Sequence, residues 1–319
     1  MTVHRLARPR LLPVQRGEMR APNAQIGRFA RIAYFRRIAQ LARRATRRWH
    51  EARSHVIRLH CVRLFAFAWF VFGLAGNAHA VFLDEIQVYD GEINDPGEWG
   101  LEMHANTTLV GQSKPSFPDQ RTAQGGFRLT PEISYGLARG VELGFYLPTI
   151  YTDQYGYESA GYKPRVKFMP LQGSQTQPWS LGINFEYSML NHGMEFPRKG
   201  FEARGIIAWK DEHWSLALNP VVDSGRSDGQ SSALQRNLQM RAIRLYPGEV
   251  ITGFGAEYYQ GRSAVNSADP TVIPRQAFAV IELKTAHTFL NGMDMHVGLG
   301  YGWDSGDRWT IKFIFTPHF

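Results

Sequence analysis

From Trp99 onward apolar and polar residues alternate with a period of two, and the last eleven residues show the pattern most clearly. Trp309, Ile311, Phe313, Phe315, Pro317 and Phe319 share one face, while Thr310, Lys312, Thr316 and His318 share the other. Period two is the signature of a strand, because successive side chains point to opposite sides of the pleat. A strand with one such apolar face and no following element to cover it would invite aggregation in water. In a closed barrel crossing a bilayer the same face meets lipid and the edge is paired.

Twelve segments share this alternation: 98–111, 127–138, 141–152, 161–171, 179–190, 201–210, 214–223, 234–246, 250–261, 275–289, 293–304 and 307–319. Most have the nine to eleven or so residues a tilted spanning strand needs. Connections then alternate. Residues 112–126, 153–160, 191–200, 224–233 and 262–274 are long and polar, whereas 139–140, 211–213, 247–249 and 290–292 are short. That is the loop-and-turn asymmetry of outer-membrane barrels. Residues 172–178 and 305–306 fit it poorly, so ten strands stand as the fallback. The fold class expected is all-β, a transmembrane antiparallel up-and-down barrel of about twelve strands over 99–319, with both termini periplasmic.

Parity sorts the side chains. Trp179, Leu181, Ile183, Phe185, Tyr187 and Met189 face one way and Ser180, Gly182, Asn184, Glu186 and Ser188 the other. Tryptophans fall at strand ends (Trp99, Trp179, Trp209, Trp214, Trp303, Trp309), where interfacial girdles belong. A soluble sandwich also alternates, but its outer face would be the polar one.

Two resemblances follow from these residues. The closing strand resembles the C-terminal signature of bacterial outer-membrane barrels, which implies an assembly signal at Phe319, Phe315 and Phe313 read by the barrel assembly machinery. Thr130–Pro148, TPEISYGLARGVELGFYLP, reads as a complete hairpin with a tight Ala-Arg-Gly turn. It resembles the hairpin of the outer-membrane protein family labelled meta-pathway phenol degradation. The resemblance implies a barrel admitting small aromatic or apolar compounds, and it carries no catalytic motif.

Charge changes the picture once it is divided. The chain carries a net +8. Residues 1–80 hold sixteen Arg, no Lys and two acids, whereas the remainder holds twenty bases and twenty-six acids, so a +14 leader conceals a −6 remainder. No basic patch survives to argue for nucleic acid. The leader meets an apolar run, Leu64–Leu74, followed by small residues ending Ala78-His79-Ala80. This is the order of a secretory signal, too short for a comfortable spanning helix, and cleavage is expected after Ala80. The long basic region leaves two readings open, translation from Met19 or later, or a genuine long leader that is removed. Cys61 is the only cysteine and lies in this leader, so disulfides and thiolate chemistry are excluded from residues 81–319.

Inward parity assigns the lumen eight acids, Glu102, Glu132, Glu142, Glu186, Glu202, Glu257, Glu282 and Asp294, and eight bases, Arg128, Lys163, Arg165, Lys167, Arg204, Arg241, Lys284 and Lys312. His104 and His296 join them. A strongly selective pore would show one sign dominating. Balance admits two readings: a structural ion-pair network, or a surface on the ladder Lys163, Arg165, Lys167 that attracts an acidic solute. Inward glycines (Gly182, Gly253, Gly255, Gly298, Gly300, Gly302) leave room for a passage or relieve sheet strain. Residues 81–98 carry six acids and no base. They are expected either as a solvated periplasmic lead-in or tucked into the lumen against the basic ladder. Asp90, Glu92, Asn94 and Asp95 lack the full calcium-loop pattern.

No cofactor and no metal site are expected, since neither inward histidine shows a third ligand. His213-Trp214-Ser215 is the one close His-x-Ser, but it lies beside a short periplasmic turn and is read as chance. The function expected is a passive or weakly selective outer-membrane channel for small solutes, in contact with outer-membrane lipids. The alternatives are a pore-less barrel held by its ion pairs and, further off, a lipid-modifying enzyme.

Overall fold

The computed structural model describes residues 85–319 apart from 116–117, 195–197, 228–229, 232–233, 249, 262–272, 286–291, 304 and 318–319. The leader, the Ala80 cleavage site, Cys61 and Phe319 therefore lie outside the described residues. Every regular element among the described residues is a strand: β1 (Trp99–Gly111), β2 (Phe127–Ala138), β3 (Val141–Tyr146), β4 (Thr149–Thr152), β5 (Gly156–Ser159), β6 (Gly161–Leu171), β7 (Trp179–Leu190), β8 (Lys199–Lys210), β9 (Trp214–Ser227), β10 (Gln230–Ser231), β11 (Gln235–Leu245), β12 (Ile251–Gln260), β13 (Arg275–Lys284), β14 (Met293–Trp303) and β15 (Asp307–Pro317).

Interruptions at Leu147-Pro148 and at Ala160 split two long strands into β3 with β4 and β5 with β6, and β10 is a short return paired on β9. The staves therefore number twelve, each antiparallel to its chain neighbour, and β1 pairs with both β2 and β15 to close the ring. Ten staves are excluded. Closure leaves no open edge, so every stave has its hydrogen-bonding groups paired on both sides.

Among the described residues, strand boundaries differ by more than one residue from those expected in four places. The stave expected at 161–171 begins at Gly156, because Thr149–Thr152 pairs with Gly156–Ser159 and leaves only 153–155 as a connection. The stave expected at 201–210 begins at Lys199, and the one expected at 214–223 runs to Ser227, the two pairing up to Lys199↔Arg226. The stave expected at 275–289 ends at Lys284. At the other end of the 130–148 hairpin, Gly140 supplies the positive φ of 74° that its two-residue turn requires.

The outward face is apolar. Ile133, Leu143, Phe145, Val166, Phe168, Phe185, Phe201, Leu216, Phe254 and Leu299 are all exposed there. Trp99, Trp179 and Trp214 sit at the end that carries the short turns, Trp303 and Trp309 at the opposite end. The inner wall is charged and buried. Burial without an aqueous face outside is the inverse of a soluble sandwich.

Residues 85–94 lie inside the ring. The segment enters at the turn end, where the Gly97 amide donates to the Gly136 carbonyl at 2.7 Å, and rises toward mid-height. Ile86 and Val88 pack with Ala208, Ala217, Ile243, Tyr259, Phe278 and Val280. Tyr89 packs with Met169 and Ile206. Of the two expectations for this segment, the solvated lead-in gives way to the tucked one over these residues.

Candidate functional site: the lumen and its N-terminal segment

The inner wall is built by parity, so its residues come from alternate positions of every stave and meet only because the sheet closes. On β2, β3 and β6 the ladder aligns Glu132 with Tyr146, and Glu142 with Lys167. Arg165 from β6 reaches both carboxylates: its Nε donates to Glu132 Oε1 at 2.6 Å, and a terminal nitrogen stands 2.8 Å from Glu142 Oε1. Lys167 lies 3.2 Å from Glu142, and Lys163 lies 2.9 Å from Glu186. Opposite them, Lys312 contacts Glu257, His296 Nε2 stands 3.1 Å from Glu257 Oε1, and Arg241 contacts Glu282. Arg204 Nε donates to Glu202 at 2.8 Å, and Arg128 donates to Asn106 at 3.1 Å.

Sixteen of the eighteen lumen positions named from parity are buried or partly buried. Lys284 and Asp294 are exposed instead, paired across the ladder at the turn end, where they form the rim rather than the wall. The glycine room is filled. A Cβ on Gly300 would meet Phe278 Cε1 at 2.4 Å, and one on Gly182 would meet Met169 Sδ at 2.1 Å. These glycines admit neighbouring side chains, so they do not leave a passage.

The segment 85–94 completes the network. Lys312 Nζ donates to the Ile86 carbonyl at 2.9 Å, and Arg204 donates to the Gln87 carbonyl at 3.2 Å. Asn219 clamps Tyr89 by both backbone groups, accepting from its amide at 2.7 Å and donating to its carbonyl at 3.0 Å. The Tyr89 and Tyr146 hydroxyls are 2.7 Å apart, and the Arg204 guanidinium stands 4.5 Å from the Tyr89 ring centre, a cation–π contact. Asp90 is 3.2 Å from Arg241, Glu92 is 2.7 Å from Lys210, and Glu85 lies 3.8 Å from Arg204 and 3.9 Å from Lys163. Asp90 and Glu92, two acids of the run that resembles part of a calcium loop, thus answer separate cations. The Asn94 amide donates to Glu142 at 2.7 Å.

Below this segment, at the turn end, a cavity of 560 Å³ remains between it and the wall, bordered by Glu102, Glu132, Glu282, His296, Lys284 and Asp294 among others. His104 comes together with Glu102 and Glu132, their ligand-type atoms lying within 4.8 Å of one another. Sequence reasoning found no third partner for His104, because the pairing of β1 with β2 spans a fifteen-residue loop whose register no pattern fixes. Ser215 is buried and its hydroxyl has no hydrogen-bond partner among the described residues, while His213 is exposed in the turn. No Ser–His pair forms there. At the same turn, the Asp211 carboxyl is held below its usual range by hydrogen bonds from the His213 and Trp214 amides.

A closed twelve-stave barrel with an apolar exterior and a charged, segment-filled interior defines the class. No family model matches the chain, and no curated protein matches it, so the likeness of the 130–148 hairpin stands as a resemblance. Among solved structures the chain is similar to the COG4313 outer membrane channel from Pseudomonas putida F1. Identity is 12% and the TM-score 0.50, over 74% of this chain and 100% of that one. At this identity the likeness speaks for the fold alone. A bacterial polysaccharide outer membrane secretin matches with 8% identity and a TM-score of 0.35, over 72% of this chain and 100% of that one, too low to carry argument.

Proposed function

We propose that the chain is an outer-membrane channel, passive or weakly selective, for small solutes, narrowed by its own residues 85–94. The single observation that carries the reading is the inversion of polarity across the wall: exposed aromatics and aliphatics outside, buried charge inside. A bilayer rewards that arrangement and water penalises it. The fold shared with an outer membrane channel agrees with it. Export through a leader removed after Ala80, contact with outer-membrane lipids, and assembly signalled from the Phe319 end complete the proposal.

Selectivity is weak in this reading because the wall's basic charges are neutralised by carboxylates. Lys163, Arg165 and Lys167 all face carboxylates or carbonyls, so the basic ladder offers an incoming acidic solute little uncompensated charge. The occupied lumen favours a second reading, a barrel closed permanently by its own segment. Planar-bilayer conductance and liposome swelling with sugars and small carboxylates separate the two. A channel gives discrete current steps that grow when the segment is loosened by Asn219→Ala. A closed barrel gives neither current nor solute entry in parent and variant alike, which would remove the channel reading.

A further inference from the structure

Glu102 and Glu132 stand directly opposite each other in the β1–β2 ladder. Like charges in that position destabilise a sheet unless a cation lies between them. Elsewhere on the wall Glu142, Glu186, Glu202, Glu257 and Glu282 each face a Lys or Arg. Glu132 does so through Oε1 alone, which Arg165 holds, leaving Oε2 turned toward His104 at 3.2 Å. Glu102 has no Lys or Arg within ion-pair distance among the described residues. Its Oε2 meets only His104 Nε2, at 3.5 Å, and the Gln87 amide, at 3.2 Å.

We propose that Glu102, His104 and Glu132 bind a divalent transition-metal cation of the zinc type in the channel wall. One imidazole nitrogen and two carboxylate oxygens are the donor set such ions take. The spacing fits as well. Two ligands at about 2.0–2.1 Å from a tetrahedral ion stand roughly 3.3–3.4 Å apart, close to the 3.2 and 3.5 Å found here. The charge of Glu102 is met by no Lys or Arg among the described residues, and Arg165 on the far oxygen of Glu132 leaves Oε2 free as a donor while fixing that carboxylate's orientation, so a dication would find one uncompensated carboxylate and one oriented one. The cavity bordered by Glu102 and Glu132 supplies both an entry path and space for a water in the fourth position.

The second inward histidine marks the contrast. His296 also lies between two carboxylates, but Lys312 contacts Glu257 and Arg241 contacts Glu282, so that charge is already met. A metal is expected at His104 and not at His296. This inference rests on the turn-end geometry alone and is independent of whether the barrel conducts.

The test uses the full chain, purified in detergent and stripped with chelator, titrated with Co²⁺ and then Zn²⁺. Expected are saturable binding of one Co²⁺ with visible ligand-field absorption, displacement by Zn²⁺, and at least tenfold weaker binding in Glu102→Gln and His104→Ala. His296→Ala binds as the parent does. Heat-dependent gel migration reports folding of each variant. If His104→Ala does not fold, Glu102→Gln, at a half-exposed position, decides. Absence of stoichiometric binding, or equal binding in parent and Glu102→Gln, overturns the proposal.

Discussion

Lys312, in the last stave, donates a hydrogen bond from its Nζ to the carbonyl of Ile86, 226 positions earlier in the chain. The same ammonium contacts Glu257 and lies 3.2 Å from the Tyr259 hydroxyl. Wall and segment therefore share one buried cation, and each of its partners depends on it.

Lys312→Met removes that cation and leaves Glu257 buried without it. Breaking a buried pair costs about 3–5 kcal/mol. The expected outcome is a lower unfolding midpoint in detergent, followed by the gel shift on heating. Lys312→Met with Glu257→Gln recovers much of the loss, because no lone charge remains. A double variant as unstable as the single one would show that the pair is not the cause.

The Asn219 clamp on Tyr89 gives a narrower probe. Asn219→Ala orphans both backbone groups of Tyr89, each worth about 1–3 kcal/mol when buried and unsatisfied. A cysteine at Gln87, with Cys61 replaced by Ser so that it is the one thiol of the chain, reports release through its rate of labelling. Labelling accelerates in the Asn219→Ala background; an unchanged rate would show that the clamp does not hold the segment.

At Gly136 the wall lies against the backbone of Asn94 and Asp95, where the chain leaves the lumen. A Cβ there would stand 2.0 Å from the Asp95 carbonyl oxygen, a backbone atom that cannot rotate away. Gly136→Ala therefore shifts residues 94–97 while the β2–β3 hairpin persists. Labelling of Ile93→Cys is expected to speed up in the Gly136→Ala background, with the heat-dependent gel shift retained.

The lipid-facing wall makes a prediction of the opposite kind. Phe185 is 41% exposed in the middle of β7. In water, Phe185→Arg would be nearly neutral. In a bilayer a mid-plane arginine costs about 2–4 kcal/mol. Refolding into vesicles is expected to fail or weaken in Phe185→Arg, and to proceed normally for Glu212→Arg, in an exposed turn. Equal refolding of both would argue against the membrane.

The staves were legible because each carries its own signal: alternation, an aromatic at its end, a turn or polar loop beyond. Inward parity located Lys312, Glu257 and Arg165 for the same reason. The stave that begins at Gly156–Ser159 starts inside what the alternation marks as loop, since Gly-Tyr-Glu-Ser alone has too little apolar pattern to mark a strand. Residues 85–94 gave no periodic signal at all. Their acids answer cations on β6, β8 and β11, and which cations those are depends on closure of the ring. The meeting of Glu102, His104 and Glu132 was hidden likewise, because cross-strand register over a long loop is a property of the fold.

The seam between β1 and β15 joins the two ends of the barrel sequence, and the segment preceding β1 lies within the ring that this seam closes. Contacts of such wide sequence separation form slowly, after local hairpins. A chain that zips its hairpins in order reaches β15 last, so the segment must be lying in the open trough of the sheet before Lys312 arrives. The final act of assembly is then to wrap a cylinder around an irregular segment already laid down, and a chain that closes early shuts that segment outside.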